Sequence, residues 1–223
     1  MTIKGILFDF DGTLANTTEL IIASFKNTIS HFLHREASVE EITQYFGLPL
    51  RECLAHYDAN RVEEMVDYYR EYNNHMHDSM IKSYPDVEKT LRLLKQAGMR
   101  FAIVTSKKSP MALRGLRCLQ LDKYFECIIG CEKCLKSKPD PEPMFRGLQA
   151  LGLTGKDCLC VGDSPFDLLS GQAVGCQTVK VGWSEVPEQT FANLITPDYT
   201  IANMLDLLDI IKSINEKERG KNA

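Results

Sequence analysis

The chain lacks several features, and each absence removes a class. It has no run of about 18 apolar residues, so no membrane-spanning helix is expected. It has no excess of positive charge: 26 Lys and Arg against 30 Asp and Glu leave a net charge of −4, which argues against a nucleic-acid surface. Its start, "MTIKGILFDFDG", meets an acid too early for a secretory signal, so a cytoplasmic protein is expected. Repeats and low-complexity segments are missing too. Cysteine is not scarce, with 8 in the chain, but a protein that is not exported keeps its thiols reduced. Cys131 and Cys134 have zinc-like spacing, yet a structural zinc site needs a second close pair and none follows. Cys158 and Cys160 alternate in "DCLCVGD" and read as core residues of a strand.

What remains is an ordinary globular composition, 44% apolar and 25% charged over 223 residues. That length suits one large domain, or one domain with a modest insertion. A first strand is expected at about residues 3–9. Residues 17–33 then carry Ile21, Phe25, Ile29 and Phe32 at helical spacing. "SVEEITQYFG", "LRECLAHY" and "RVEEMVDYYREYNNHMHDSM" also read as helices, and nothing between 15 and 83 reads as a strand. From residue 84 the pattern alternates. Helix "DVEKTLRLLKQAG", with Asp86 as N-cap and Gly98 as stop, leads to strand "RFAIVT" and a helix at 110–119. Strand "CIIG" precedes a helix opened by Asp140 and Pro141 and closed by Gly152. Strand "CLCVG", a helix at 166–174, strand "TVKVG" and a last helix at about 203–216 follow, with a frayed tail expected. Alternating strands and helices predict a parallel α/β sheet, interrupted once by an all-helical insertion.

In such a sheet ligands bind at the carboxyl ends of the strands. The polar residues after each apolar run are therefore informative. "ILF" is followed by Asp9 and Asp11, "FAIV" by Thr105 and Ser106, and "CLCV" by Gly162, Asp163 and Ser164, with Asp167 beyond. The loop after "CIIG" leads to Lys138. Asp9 and Asp11 stand at i and i+2 and face one place, with Phe10 turned to the core. Such a carboxylate pair calls for a divalent cation, a Lys or Arg, or a shared proton. Singly, each residue has an ordinary reading: turn acids, a strand threonine, a helix cap, a solvated lysine. Together they suit phosphoryl chemistry, since carboxylates suit Mg²⁺ and a lysine with a hydroxyl meets phosphoryl oxygens. A carboxylate can also attack phosphorus while a second one moves the proton.

"DFDGT", "VTS", "KPDPEP" and "GDSPFD", in this order, resemble the haloacid dehalogenase (HAD) superfamily of phosphohydrolases over nearly the whole chain. The resemblance implies a HAD-like Rossmannoid three-layer α/β/α core formed by residues 1–14 and 84–223, with an all-helical cap at 15–83. Carried over, it makes Asp9 the nucleophile, Asp11 the general acid and base, Thr105 a phosphoryl ligand and Lys138 the charge stabiliser. Mg²⁺ would sit on Asp9, the Asp11 backbone carbonyl and Asp163, supported by Asp167. An Asp at position 11 goes with the phosphatases and not the dehalogenases.

"NTTELIIASF", "VEEMVDYYREYN" and "KPDPEP" look like the bacterial cytosolic inorganic pyrophosphatases linked to HPr-serine dephosphorylation, relatives of the phosphoglycolate phosphatases. Histidines of that branch are replaced here by Asn74, Met76, Pro165 and Phe166, while Asn73, His77 and Asp78 are kept. The implied substrate is a small phosphorylated anion, with pyrophosphate first; phosphoglycolate or a sugar phosphate, including mutase action, is the alternative. A phospho-Asp receiver domain shares the residue types but is much shorter and lacks the insertion. Neither nucleic acid nor membrane is an expected partner, and a monomer or weak homodimer is expected. Substrate contacts are expected from Ser106 and Gly12, and from Arg51, Asn73 and His77 on the cap. Glu19, Phe46, Gly47 and His75 are further candidates, although His75 and His77 read first as a solvated helix end. Lys107 and Lys108 lie beside the phosphoryl site, as anion ligands or as solvated charges.

Overall fold

The computed structural model describes residues 2–46 and 48–221, with side chains through residue 217. The chain runs β1 (Gly5–Phe8), β2 (Ala15–Asn16), α1 (Thr18–Leu33), α2 (Val39–Thr43), α3 (Leu50–Ala55), α4 (Val62–Met80) and β3 (Lys82–Ser83). It continues α5 (Val87–Gln96), β4 (Arg100–Val104), α6 (Ser109–Cys118), β5 (Cys127–Ile129), α7 (Glu142–Leu151), β6 (Cys158–Gly162) and α8 (Pro165–Ala173). The last elements are β7 (Gln177–Val181), α9 (Glu188–Leu194), β8 (Tyr199–Ile201) and α10 (Asp206–Lys221).

A six-stranded parallel sheet runs in the order β5-β4-β1-β6-β7-β8. β1 is an unbroken apolar run, GILF, buried throughout, as a central parallel strand covered on both faces should be. Ile6 and Phe8 join one core with Val87, Leu91 and Leu94 of α5, Leu116 of α6, and Leu207 and Ile211 of α10. Leu7 joins the opposite core with Met144, Leu148 and Leu151 of α7. Helices on both faces of one sheet make the expected three layers. The chain leaves β1, returns to β4 and β5 on one side, then crosses to β6 on the other. The carboxyl end of β1 is therefore the switch point of the sheet, where a crevice opens.

The helices between β2 and β3 bury a separate core made of Phe25, Ile29, Ile42, Leu54, Met65, Val66 and Tyr69. Where only helix is expected, the segment begins and ends in an antiparallel ribbon, with Ala15 opposite Ser83 and Asn16 opposite Lys82. Two residues per strand are too few to show an alternating pattern in sequence. β8, three residues at the sheet edge, escaped the reading for the same reason. The expected frayed tail is helical to Lys221. Asp86 does not cap α5: its φ of 57° is left-handed, where a capping side chain needs extended backbone. Its Oδ2 instead accepts from Asn203 Nδ2 at 3.2 Å.

Candidate active site

The loop after β1 is short and tightly held. Asp9 N–H donates to Val161 O at 2.9 Å, and Leu14 and Ala15 N–H both donate to Phe10 O at 3.0 Å. Phe10 is fully buried, so Asp9 and Asp11 are left facing the crevice. Gly12 has φ +77°, and a Cβ there would stand 2.2 Å from Asp163 Oδ2. Glycine thus admits the Asp163 carboxylate to the loop, whereas substrate contact was expected of it. Gly12→Ala is expected to cost about 1–3 kcal/mol from backbone strain and the displaced carboxylate, with a marked loss of activity. Urea unfolding together with an activity assay checks this, and a fully active, equally stable variant would contradict it.

Lys138 reaches the centre from the loop after β5. Its ammonium donates to Asp9 Oδ1 at 2.7 Å, to Val104 O at 3.1 Å and to Asp167 Oδ1. Those three bonds exhaust its donors. Asp167 also works locally: Ser164 N–H donates to its Oδ2 at 3.0 Å, closing the capping box that starts α8. Asp167 is buried, held by helix cap and lysine at once. Asp163 Oδ1 accepts from Thr13 Oγ1 at 3.3 Å. Oxygens of Asp9, Asp163 and Asp167 lie within 4.8 Å of one another.

Three carboxylates here face one lysine. Burial pushes Asp9 up to about 7, against the pull of Lys138 and with Asp167 and Asp11 adding to the rise. Burial also holds Asp163 well above the usual carboxylate range, reinforced by Asp9 and Asp167. For Lys138 burial acts downward, but Asp167 and Asp9 outweigh it and raise the lysine. Surplus buried negative charge among oxygen donors fits a hard divalent cation such as Mg²⁺.

Thr105 follows β4, and its Oγ1 accepts Lys107 N–H at 3.2 Å, leaving the hydroxyl proton for another acceptor. Ser106 is exposed beside it. Lys107, read as a possible solvated charge, pairs with Asp11 Oδ1 at 2.7 Å.

The insertion residues fare differently. Arg51 forms an exposed pair with Glu63 at 2.7 Å. Asn73 Nδ2 donates to Ser24 Oγ at 3.1 Å, tying α4 to α1. His75 is exposed as expected, but His77 is completely buried, with Nδ1 2.8 Å from Asp78 Oδ1 and Nε2 without a partner. Its position near the end of α4 suggested solvent, yet it is fully buried beside Asp78, which pairs with Arg114 of α6 at 2.9 Å. Glu19 is exposed and lies 3.7 Å from Lys82. Phe46 packs between the insertion core and the cluster around Leu168, and Gly47 lies outside the described residues.

Some residues at this edge were not foreseen. Ser184 Oγ donates to Asp163 O at 2.5 Å, and Trp183 packs on Tyr84 with centroids 5.3 Å apart. Tyr84 is pushed up to about 12 by burial, with Asp163, Glu185 and Asp11 adding to the shift. The available signal was the exit of "TVKVG", a strand end like the others, which leads directly to Trp183 and Ser184. On α4, burial raises the Tyr69 hydroxyl, and Asp11 adds to the shift.

The model of haloacid dehalogenase-like hydrolases matches residues 6–181, which include Asp9, Asp11, Thr105, Lys138, Asp163 and Asp167. The chain belongs to that family. Within the family, this hydrolase is 42% identical over 213 residues to a Clostridium perfringens protein named "Putative pyrophosphatase PpaX", covering 96% of this chain and 99% of the relative. It is 36% identical to pyrophosphatase PpaX of Bacillus mycoides, covering 96% of this chain and all of the relative. Its fold superposes with a TM-score of 0.84 on a haloacid dehalogenase-like hydrolase from Bacteroides fragilis, at 27% identity, covering 92% of this chain and 100% of that one. The hydrolase is an enzyme of the phosphatase type.

Proposed function

We propose that this hydrolase cleaves inorganic pyrophosphate in a Mg²⁺-dependent reaction through an aspartyl-phosphate intermediate on Asp9. The observation that carries the reading is the buried Asp9 carboxylate, held by Lys138 at 2.7 Å where the sheet changes direction. The names of the relatives support the choice of substrate.

In the first step an Asp9 oxygen bonds to phosphorus as the bridging P–O bond breaks. Asp11 gives a proton to the departing oxygen, and orthophosphate leaves. In the second step Asp11 takes a proton from water, the water oxygen bonds to the same phosphorus, and the acyl phosphate bond breaks to restore Asp9. Splitting displacement into two steps and moving protons through a placed carboxyl each lower the barrier. Thr105 meets the phosphoryl oxygens with its hydroxyl, and the Lys138 charge, held beside Asp9, offsets theirs. Asp9, Asp163 and the Asp11 backbone carbonyl would hold Mg²⁺, supported by Asp167. The metal would supply charge that keeps Asp9 ionised and offsets the phosphoryl oxygens.

Residues 15–83 act as the cap and 1–14 with 84–223 as the catalytic core in this reading. A separate hydrophobic core and the β2–β3 ribbon at its base support that division. Closure over the crevice would exclude water from the intermediate.

Phosphate release from pyrophosphate, 2-phosphoglycolate and p-nitrophenyl phosphate at equal enzyme tests the substrate. A kcat/KM for pyrophosphate well above the others is expected; a preference for phosphoglycolate would overturn the pyrophosphatase reading. EDTA is expected to stop turnover and Mg²⁺ to restore it, with Mg²⁺ also raising Tm by mass action on the folded state. Full activity in EDTA, or an unmoved Tm, would remove the metal.

A further inference from the structure

A diphosphate substrate presents a second charged group, and Lys138 has no donor left to meet it. Lys136 does not supply the cation: its side chain is exposed and paired with Asp140 at 3.2 Å. Lys108 is also exposed. Lys107 is different. Its ammonium is mostly buried in the crevice, 2.7 Å from Asp11 Oδ1 and 5.5 Å from the centre of the Phe10 ring. The ring face and the carboxylate hold it over the loop that carries both acids.

The backbone of Lys107 is pinned on both sides. Its N–H donates to Thr105 Oγ1 at 3.2 Å, and its carbonyl accepts Cys131 N–H at 3.1 Å. Gly130 permits this approach, because a Cβ there would stand 2.7 Å from the Lys107 carbonyl oxygen and 2.4 Å from Ser109 N. A fixed backbone with a flexible four-carbon stem lets the ammonium move between neighbouring anions while its base stays put.

We propose that Lys107 is a specificity-determining residue for substrates whose leaving group is itself a phosphate. In the free enzyme its charge rests on Asp11. With a diphosphate bound, it pairs with the outer phosphate and lets go of Asp11. That carboxyl is then free to reach the bridging oxygen. As the Asp9–phosphorus bond forms, the electron pair of the breaking bond stays on the bridging oxygen. Released from Lys107, Asp11 takes up a proton from solvent water, passes it to that oxygen as the bond breaks, and orthophosphate departs against Lys107. An ester with an uncharged leaving alcohol offers Lys107 no second anion and leaves it on Asp11. The proposal rests on the pyrophosphatase reading and adds the residue that selects the substrate.

The test compares wild type, Lys107→Gln and Lys107→Arg on pyrophosphate and on p-nitrophenyl phosphate, whose leaving group carries no phosphate. Titration with methylenediphosphonate, a carbon-bridged diphosphate, reads binding without turnover. Lys107→Gln is expected to lower kcat/KM for pyrophosphate by about 100-fold, the effect of losing one charge-assisted contact to a phosphate. The loss on p-nitrophenyl phosphate is expected to be at least tenfold smaller, methylenediphosphonate affinity to fall, and Lys107→Arg to recover most of the discrimination. Equal losses on both substrates with unchanged methylenediphosphonate affinity would reduce Lys107 to a partner of Asp11 and overturn the proposal. A wild type with no preference for pyrophosphate would instead overturn the parent reading and this one with it. Unchanged Tm values across the three proteins exclude misfolding as the cause.

Discussion

Asp9→Asn is expected to abolish turnover and yet to make the metal-free protein more stable above neutral pH. The loss of activity follows from the nucleophile assignment: an amide cannot form the acyl phosphate, and kcat should fall on the order of 10⁴-fold or more. The gain in stability follows from burial. Asp9 in the folded protein titrates at about 7 against 3.8 for the free side chain, chiefly because it is desolvated. Between those values the folded state holds a proton that the unfolded chain has released. The contribution of this group to stability is therefore lost as pH rises from about 4 to about 7. Asn removes the charge and keeps the shape. In EDTA the Tm of the variant should exceed that of wild type by about 5–10 °C at pH 8, and the gap should narrow at pH 5. Calorimetry at the two pH values reads this directly. Activity within tenfold of wild type would sink the nucleophile assignment, and a gap independent of pH would sink the account of its burial.

Lys138→Met should do the opposite at the same ion pair. The lysine is 6% exposed and answers Asp9 and Asp167, both buried. Removing it leaves three carboxylates without their only buried cation among the described residues, and breaking such a pair costs about 3–5 kcal/mol. Replacing Asp9 deletes a charge in surplus; replacing Lys138 deletes the charge in deficit. Urea unfolding in EDTA should show the loss at pH 8 and a smaller one at pH 5, where Asp9 takes up a proton. Mg²⁺ should restore part of the stability while turnover stays at least about 10³-fold down, for want of the lysine at the phosphoryl group. A loss under about 1 kcal/mol at pH 8 would mean that the carboxylates are neutral or hydrated without it.

Much of this site was legible in one dimension. Asp9, Thr105, Lys138 and Asp163 could be found because each ends or follows an apolar run, and parallel sheets collect their strand exits along one edge. Asp167 could be placed near that edge, but not its second task as the cap of α8. Less was legible on the insertion. Arg51 looked available for an anion, and the structure adds an exposed pair with Glu63 that the spacing did not show. His77 sits in a polar stretch that reads as solvated, yet it is buried where α4 meets α6, elements separated by three others in the chain. Ser184 and Trp183 carry no motif and gain meaning only because Asp163 and Tyr84 lie beside them.

The sequence by itself determined the layered α/β core, the family and the set of acids, hydroxyl and lysine at the strand ends. Each depends on periodicity or on residue type at a strand end, which are local properties of the chain. The tertiary structure alone decided how charge is shared there. Lys138 is saturated by Asp9 and Asp167, Lys107 is left to Asp11, and Gly12 yields its space to Asp163. Such pairings depend on distances of a few ångströms between segments far apart in the chain, such as Lys138 and Asp9, separated by 129 positions. Burial then sets how strongly each charge is felt, and neither distance nor burial is written in the order of the residues.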